Sequence, residues 1–270
     1  MFTIFAVPKS FQNNTQIIQE NAISSWKSLH PEIEVVLYGD EEGIREVTKK
    51  YDCLHREGVE KSEYGTPQLN SIFQDIKKIA RHDVLCYCNA DIILLNDIVP
   101  VIQSFTPMKE FLLVGRRINI DLNERIETND ATWEKRIRTI IQINGKVGRA
   151  DQIDCFIFPR NLMINMPPFA VGRGGWDNWL IANMRKRKVP VIDVTGSFPI
   201  IHQNHGYHHV PNQKGNAWEG PETDRNRELM EGLKNLYTID DADWIYTKEG
   251  LKKKGITFGR IYRDIWRNIK

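Results

Sequence analysis

Nowhere does this 270-residue chain run through the ~18 or more consecutive apolar residues that a membrane-spanning helix needs. Its first residues, MFTIFAVPKSF, have neither the basic flank nor the long apolar segment of a secretory signal, which predicts an intracellular, cytoplasmic protein. Cysteine is scarce as well. Cys53, Cys86, Cys88 and Cys155 form no CxxC pair, and two of them lie within an apolar run where cysteine behaves as a small hydrophobe, so neither a disulfide framework nor a zinc knuckle is expected. Charge of one sign is missing too: a net +2 argues against a broadly basic nucleic-acid binder. The small excess is uneven, because eight basic residues face two acidic ones from Lys248 onward, a local +6 that leaves the rest near −4.

Against these absences stands an ordinary globular composition, 41% hydrophobic and 10% aromatic, sufficient for one large α/β domain or two small ones. FTIFAV (2–7) and EVVLYGD (34–40) read as strands, with apolar residues at helical spacing over 15–29 between them. A second helix is predicted from Pro67 through QLNSIFQDIKKIA, leading into the strand VLCYCNADIIL. The order β, α, β, α, β is that of a wound sheet whose ligands collect at the carboxyl ends of its strands.

That strand carries Asn89 and Asp91 two positions apart in a run that is otherwise apolar. Alternate strand residues share a face, so both side chains are expected to enter one small volume. Oxygen ligands of this kind suit Mg²⁺ or Mn²⁺, commonly held by one or two carboxylates together with substrate phosphates. The alternative is local: Asp91 caps the strand end while Asn89 bonds a turn.

Two later segments add chemistry. PPFAVGRGGWDNWLI (167–181) has glycines that let backbone approach a ligand, followed by a helix with Asp177 in its first turn, where the helix dipole alone would favour a carboxylate. Trp176 and Trp179 offer apolar faces against which a sugar ring can pack, or belong to the core. PVIDVTGSFPIIHQNHGYHH (190–209) sets His202, His205, His208 and His209 after an apolar strand. Four histidines raise a zinc hydrolase as a competing reading, but Asn204 and Gly206 disfavour a helix there, and no carboxylate completes a recognised zinc signature.

Taken together, an N-terminal βαβ half, a strand ending in Cys88-Asn89-Ala90-Asp91 and the later Gly174-Gly175-Trp176-Asp177 resemble a glycosyltransferase of the GT-A fold, over residues 2 to about 209. The resemblance implies a GT-A-like (Rossmann-like) α/β domain with a mixed, mainly parallel central sheet flanked by helices (1–225) and a C-terminal helical appendage (226–270). It implies a metal-dependent enzyme that moves a sugar from a nucleoside-diphosphate sugar to a hydroxyl of a glycan or lipid-linked acceptor, with inversion, as in polysaccharide biosynthesis. Mn²⁺ or Mg²⁺ would be held by Asp91 and His202, with His205 next in line. Asn replaces the first acid of the D-x-D-type motif, which leaves Asn89 as a sugar or ribose contact. Asp177 would be the base that deprotonates the acceptor.

Val7, Pro8, Lys9, Asp40, Arg149 and Asp151 are the remaining expected donor contacts, and Trp176, Trp179 and Trp218 the expected acceptor wall. Surface charge is the plainer account of Arg149 and Asp151. A sugar-phosphate nucleotidyltransferase and a non-catalytic carbohydrate-binding protein are the alternatives, although no glycine-rich basic loop follows the first strand to grip a triphosphate. The last helix, with Phe258, Ile261, Tyr262, Ile265 and Ile269 on one face and arginines around the other, can lie on the inner face of an anionic membrane or pack on its own domain.

Overall fold

The computed structural model describes residues 1–122, 124–205, 219–255 and 258–269, which build two sheets and eight α-helices. The main sheet has nine strands. β1 (Thr3–Ala6), β2 (Glu34–Tyr38) and β3 (Leu54–Arg56) run parallel at one end, and β4 (Val84–Cys88) continues them beside β1. β6 (Leu112–Val114), β10 (Val191–Asp193) and β12 (Trp244–Thr247) are parallel at the other end. β9 (Cys155–Pro159) lies antiparallel between β4 and β6, and β13 (Gly250–Lys253) closes the far edge against β12. A smaller sheet joins β5 (Ile92–Leu94), β11 (Ile200–Gln203), β7 (Arg117–Ile120) and β8 (Lys146–Val147) in that order.

Residue alternation along the strands explains the layering. On β4, Cys86 and Cys88 face a layer that includes Ala22, Trp26, Leu37 and Ile92, whereas Leu85 and Tyr87 face another with Phe5, Phe73, Phe156, Phe158 and Trp176. α1 (Asn13–Ser28) supplies Ala22 and Trp26 to the first layer, and Trp26 Nε1 donates to the Ile92 carbonyl at 2.8 Å. The second is covered by α3 (Leu69–Ile79) and α6 (Trp176–Lys186). Phe73 and Phe158 stack at 5.7 Å within it. Each fully buried Ile or Phe in these layers contributes about 1.5–3 kcal/mol. α5 (Trp133–Asn144) covers the small sheet through Trp133 and Ile137. The predicted α/β layering, with a mixed and mainly parallel sheet, is the one observed.

Three expectations need correcting. The run 84–94 is not one strand: it leaves the main sheet after Cys88, turns at Asn89-Ala90-Asp91 and enters the small sheet as β5, because Ile92–Leu94 find partners on β11 rather than on β9. The segment 226–270 is not a helical appendage, since β12 and β13 within it complete the main sheet. Its expected boundary falls inside α7 (Pro221–Leu229), whose carboxyl end is followed by core residue Met230. α2 (Ile44–Lys50) and β3 were not anticipated; they fill the crossover after β2, with Ile44 and Val47 buried. α4 (Ile98–Phe105) follows β5, and α8 (Phe258–Ile269) ends the described chain. Among the described residues no helix is long and apolar enough to cross a membrane.

Candidate active site

Strand direction collects polar side chains at one edge of the main sheet. β1, β4 and β6 point the same way, so Lys9, Asn89-Asp91 and Arg117 follow their carboxyl ends there, and antiparallel β9 begins at that edge just after Asp154. The small sheet brings the histidines to the same place. His202 pairs in register with Ile92, and the Asp91 carbonyl accepts hydrogen bonds from the Gln203 backbone (3.3 Å) and side chain (3.2 Å). Gln203 is fully buried and also bonds the Ile18 carbonyl and Asn21, which ties this corner to α1.

Asp91, His202 and His205 therefore converge. Asp91 Oδ2 lies 2.9 Å from His205 Nε2 and 3.6 Å from His202 Nε2, and one potential ligand atom from each residue falls within 4.8 Å of the others. Burial alone would raise the Asp91 carboxyl, but the facing imidazoles, His202 at 3.6 Å and hydrogen-bonded His205 at 2.9 Å, hold it well below the usual carboxylate range. Asp91 Oδ1 and His202 Nδ1 are buried with no hydrogen-bond partner. Orphaned polar atoms of this kind are uncommon in a folded interior and are accounted for by an absent water or ion. A carboxylate and two imidazoles with spare donor atoms fit a divalent cation.

Asn89 does not share that volume. Its backbone N–H donates to the Asp154 carbonyl (3.0 Å) and its side-chain amide to the Asp154 carboxylate (2.6 Å), because the turn at Ala90-Asp91 ends the alternation that would have put the two side chains on one face. The other Asp154 oxygen receives Arg117 at 2.9 Å, and both residues are largely buried. Arg149 and Asp151 form a two-pronged ion pair beside Arg117 (3.0 and 2.8 Å), an arrangement that holds Asp151 below its ordinary value.

Asp177 occupies the first turn of α6, which starts from Gly175 at φ +110°, a conformation that glycine adopts without strain. One of its carboxylate oxygens is sealed from solvent without a hydrogen-bond partner. Burial pushes the Asp177 carboxyl up to about 7, opposed by the nearby backbone N–H groups of α6 and reinforced by the charge of Asp154. Asp154, Asp91 and Asp177 all act on the buried phenol of Tyr87, whose ionisation burial and these charges suppress.

Among the other expected donor contacts, Lys9 belongs to this neighbourhood. Its backbone is pinned to Gln19 in both directions (2.6 and 2.9 Å), and its amine is pushed down by burial, drawn back up by Asp91 and lowered further by Arg173. Val7 packs on the aromatic layer and Pro8 is buried. Asp40 closes β2 and takes the Gly58 N–H and Lys61, each at 3.2 Å, so it anchors the 58–61 loop.

Of the residues expected in the acceptor wall, the structure turns one into the core. Trp176 is a core residue, 6% exposed and packed on Tyr87 (5.0 Å) and Phe156 (4.9 Å), which leaves no open face for a sugar. Trp179 is half-buried against Phe169. Trp218, His208 and His209 lie outside the described residues. Sequence reasoning missed Arg117, Arg173 and Glu222 and left Asp154 without a role. Glu222, at the start of α7, receives Arg173 (2.7 Å), Ser62 (2.5 Å) and Thr66 (2.8 Å), and so locks the glycine loop before α6 to the 58–68 segment. The only sequence signal for it was an acid just after Gly220-Pro221.

No family model matches the chain, and no curated relative does. Solved structures do. Glucosyl-3-phosphoglycerate synthase of M. tuberculosis is 11% identical at a TM-score of 0.50, over 95% of this chain and 88% of that one. The mannosyltransferase PcManGT from Pyrobaculum calidifontis, in complex with GDP-Man and Mn²⁺, is 11% identical at 0.46, over 80% and 59%. S. aureus TarS 1-349 is 14% identical at 0.34 over 46% of this chain, which spans 37% of the TarS fragment. The architecture is GT-A-like.

Proposed function

We propose that this chain is a metal-assisted glycosyltransferase that moves a sugar from a nucleoside-diphosphate sugar to a hydroxyl of a glycan or lipid-linked acceptor, at the cytoplasmic side of the cell. One observation carries the reading: Asp91, His202 and His205 converge, with orphaned Oδ1 and Nδ1 atoms, at the carboxyl edge of a GT-A-like sheet, where wound sheets bind their ligands.

Asp91, His202 and His205 would hold the cation, and two imidazoles in the donor set favour Mn²⁺ over Mg²⁺, which is usually bound through oxygen. Bound there, the ion would act as a Lewis acid on the diphosphate leaving group. Lys9, close enough to Asp91 and Arg173 to feel both charges, would add a cation for the phosphates. Arg117 fixes Asp154, and Asp154 fixes Asn89, so the turn that carries Asp91 is braced from the main sheet.

Asp177 would accept the proton of the acceptor hydroxyl as the new glycosidic bond forms, which gives inversion by a single displacement. A carboxyl held near 7 suits that task, because a general base works best with its pKa close to the operating pH. Asp154 contributes by holding the Asp177 proton affinity up.

Calorimetry of the full chain with a panel of UDP- and GDP-sugars, with and without Mn²⁺, tests the reading. Donor binding that requires Mn²⁺, followed by release of nucleoside diphosphate in the presence of an acceptor, is expected. Release of pyrophosphate instead would make the chain a nucleotidyltransferase, and metal-independent sugar binding without turnover would make it a carbohydrate-binding protein.

A further inference from the structure

The C-terminal helix α8 is docked with its polar side inward. The Arg260 guanidinium, 8% exposed, donates to the Ala242 carbonyl and to Asp243, both at 3.1 Å, and Arg263 reaches the fully buried Asp241 at 3.2 Å. Two cations that an ordinary surface helix would turn to water are thereby spent on holding α8 to the domain. The opposite consequence falls on its apolar residues. Ile261, Tyr262 and Ile265 share one side of the helix and are 44%, 72% and 54% exposed. Contiguous large apolar side chains turned to solvent mark a surface that is covered in use.

What covers it follows from charge. Lys248, Lys252 and Lys253, on the β12–β13 hairpin that precedes α8, are exposed, and the sequence adds Arg267 and Lys270. The net charge over 248–270 is +6, and with Lys254, Arg260 and Arg263 paired to Asp193, Asp243 and Asp241 of the domain it is still +3. Two copies of the chain meeting through this face would bring two such segments together and repel. An anionic lipid surface instead accepts both features at once, apolar side chains at the level of the acyl boundary and cations among the headgroups. Tyr262 suits that boundary, with an apolar ring and a polar tip.

We infer that the exposed Ile261-Tyr262-Ile265 face of α8, together with the exposed lysines of the preceding hairpin, binds the surface of an anionic membrane. The inference rests on the docking of α8 and not on sugar transfer. Co-sedimentation of the full chain with vesicles tests it, using phosphatidylcholine alone or with about 30 mol% phosphatidylglycerol. Binding at least about tenfold tighter to the anionic vesicles is expected, weakened several-fold when NaCl rises from about 0.1 to about 0.5 M. The double variant Ile261→Glu/Ile265→Glu should bind about tenfold more weakly while keeping its melting temperature and Mn²⁺ affinity, and Lys252→Glu/Lys253→Glu provides a second route if the first variant folds poorly. Equal binding to both vesicle types, no binding to either, or undiminished binding of both variants would overturn the inference. So would a concentration-dependent dimer that Ile261→Glu/Ile265→Glu abolishes, which would assign the face to a second copy.

Discussion

Replacing Asp177 by Asn removes a carboxyl that burial holds near 7 in the folded protein, against about 3.9 in an unfolded chain. Between those two values the folded state binds the extra proton, so stability falls as pH rises from about 4 to about 7 and levels off above. A shift of about three units costs the fold about 4 kcal/mol at pH 8 and somewhat under 2 kcal/mol at pH 5. Asn keeps the shape and carries no charge. Asp177→Asn is therefore expected to stabilise, with a gain that grows by roughly 2–3 kcal/mol between pH 5 and pH 8, read from urea unfolding at the two values. The same variant should lose transfer by about 10² to 10⁴, and wild-type kcat/KM should climb to a plateau above about pH 7, where the base is ionised. An equal gain at both pH values refutes the raised carboxyl, and retained transfer refutes the base.

The other substitutions probe separate parts of the site. Asp91→Ala should weaken Mn²⁺ binding by at least about 100-fold in a calorimetric titration, beyond what loss of an outer-shell partner causes, and an unchanged affinity would remove Asp91 from the metal site. Glu222→Ala buries Arg173 unpaired and strips Ser62 and Thr66 of their acceptor, so a loss of about 3–5 kcal/mol in denaturant is expected, with most of it recovered in Arg173→Met/Glu222→Leu. Trp176→Ala should cost about 3–5 kcal/mol of stability; a change confined to acceptor KM would instead restore Trp176 as a sugar contact.

Periodicity made the first half of the fold legible, since α3 buries its apolar stripe and β1, β2 and β4 are apolar runs in the core, although α1 also buries Gln19, Glu20, Asn21, Ser24 and Ser25 beside its apolar residues. The convergence of Asp91 with His202 and His205 came instead from a resemblance, because no local pattern encodes a contact between residues about 110 positions apart. Asp154 shows why much of the site stayed hidden. It reads as an acid before an apolar strand, and only the antiparallel register that pairs Cys88 with Cys155 sets it beside Asn89. Glu222 and Arg173 are likewise ordinary surface charges until α7 folds back on the glycine loop. Trp176 failed in the opposite direction, because an aromatic next to a glycine loop carries no mark of whether its ring faces a ligand or Tyr87.

The turn at Asn89-Ala90-Asp91 links these points. Had 84–94 continued as one strand, Asn89 and Asp91 would share a face and β11, which carries His202, would pair with β7 alone. Splitting the run gives Asn89 to the main sheet through Asp154 and Asp91 to the small sheet through Gln203. Two independently hydrogen-bonded sheets then fix the two ends of one turn, Asn89 and Asp91, which holds the Asp91 carboxylate beside two imidazoles without a regular strand beneath it. The three side chains of the proposed metal site are thus positioned by the fold itself. The same seam leaves Asp177 on a separate element, α6, so that a carboxyl raised to about 7 and a strongly acidic Asp91 are held by different parts of the fold.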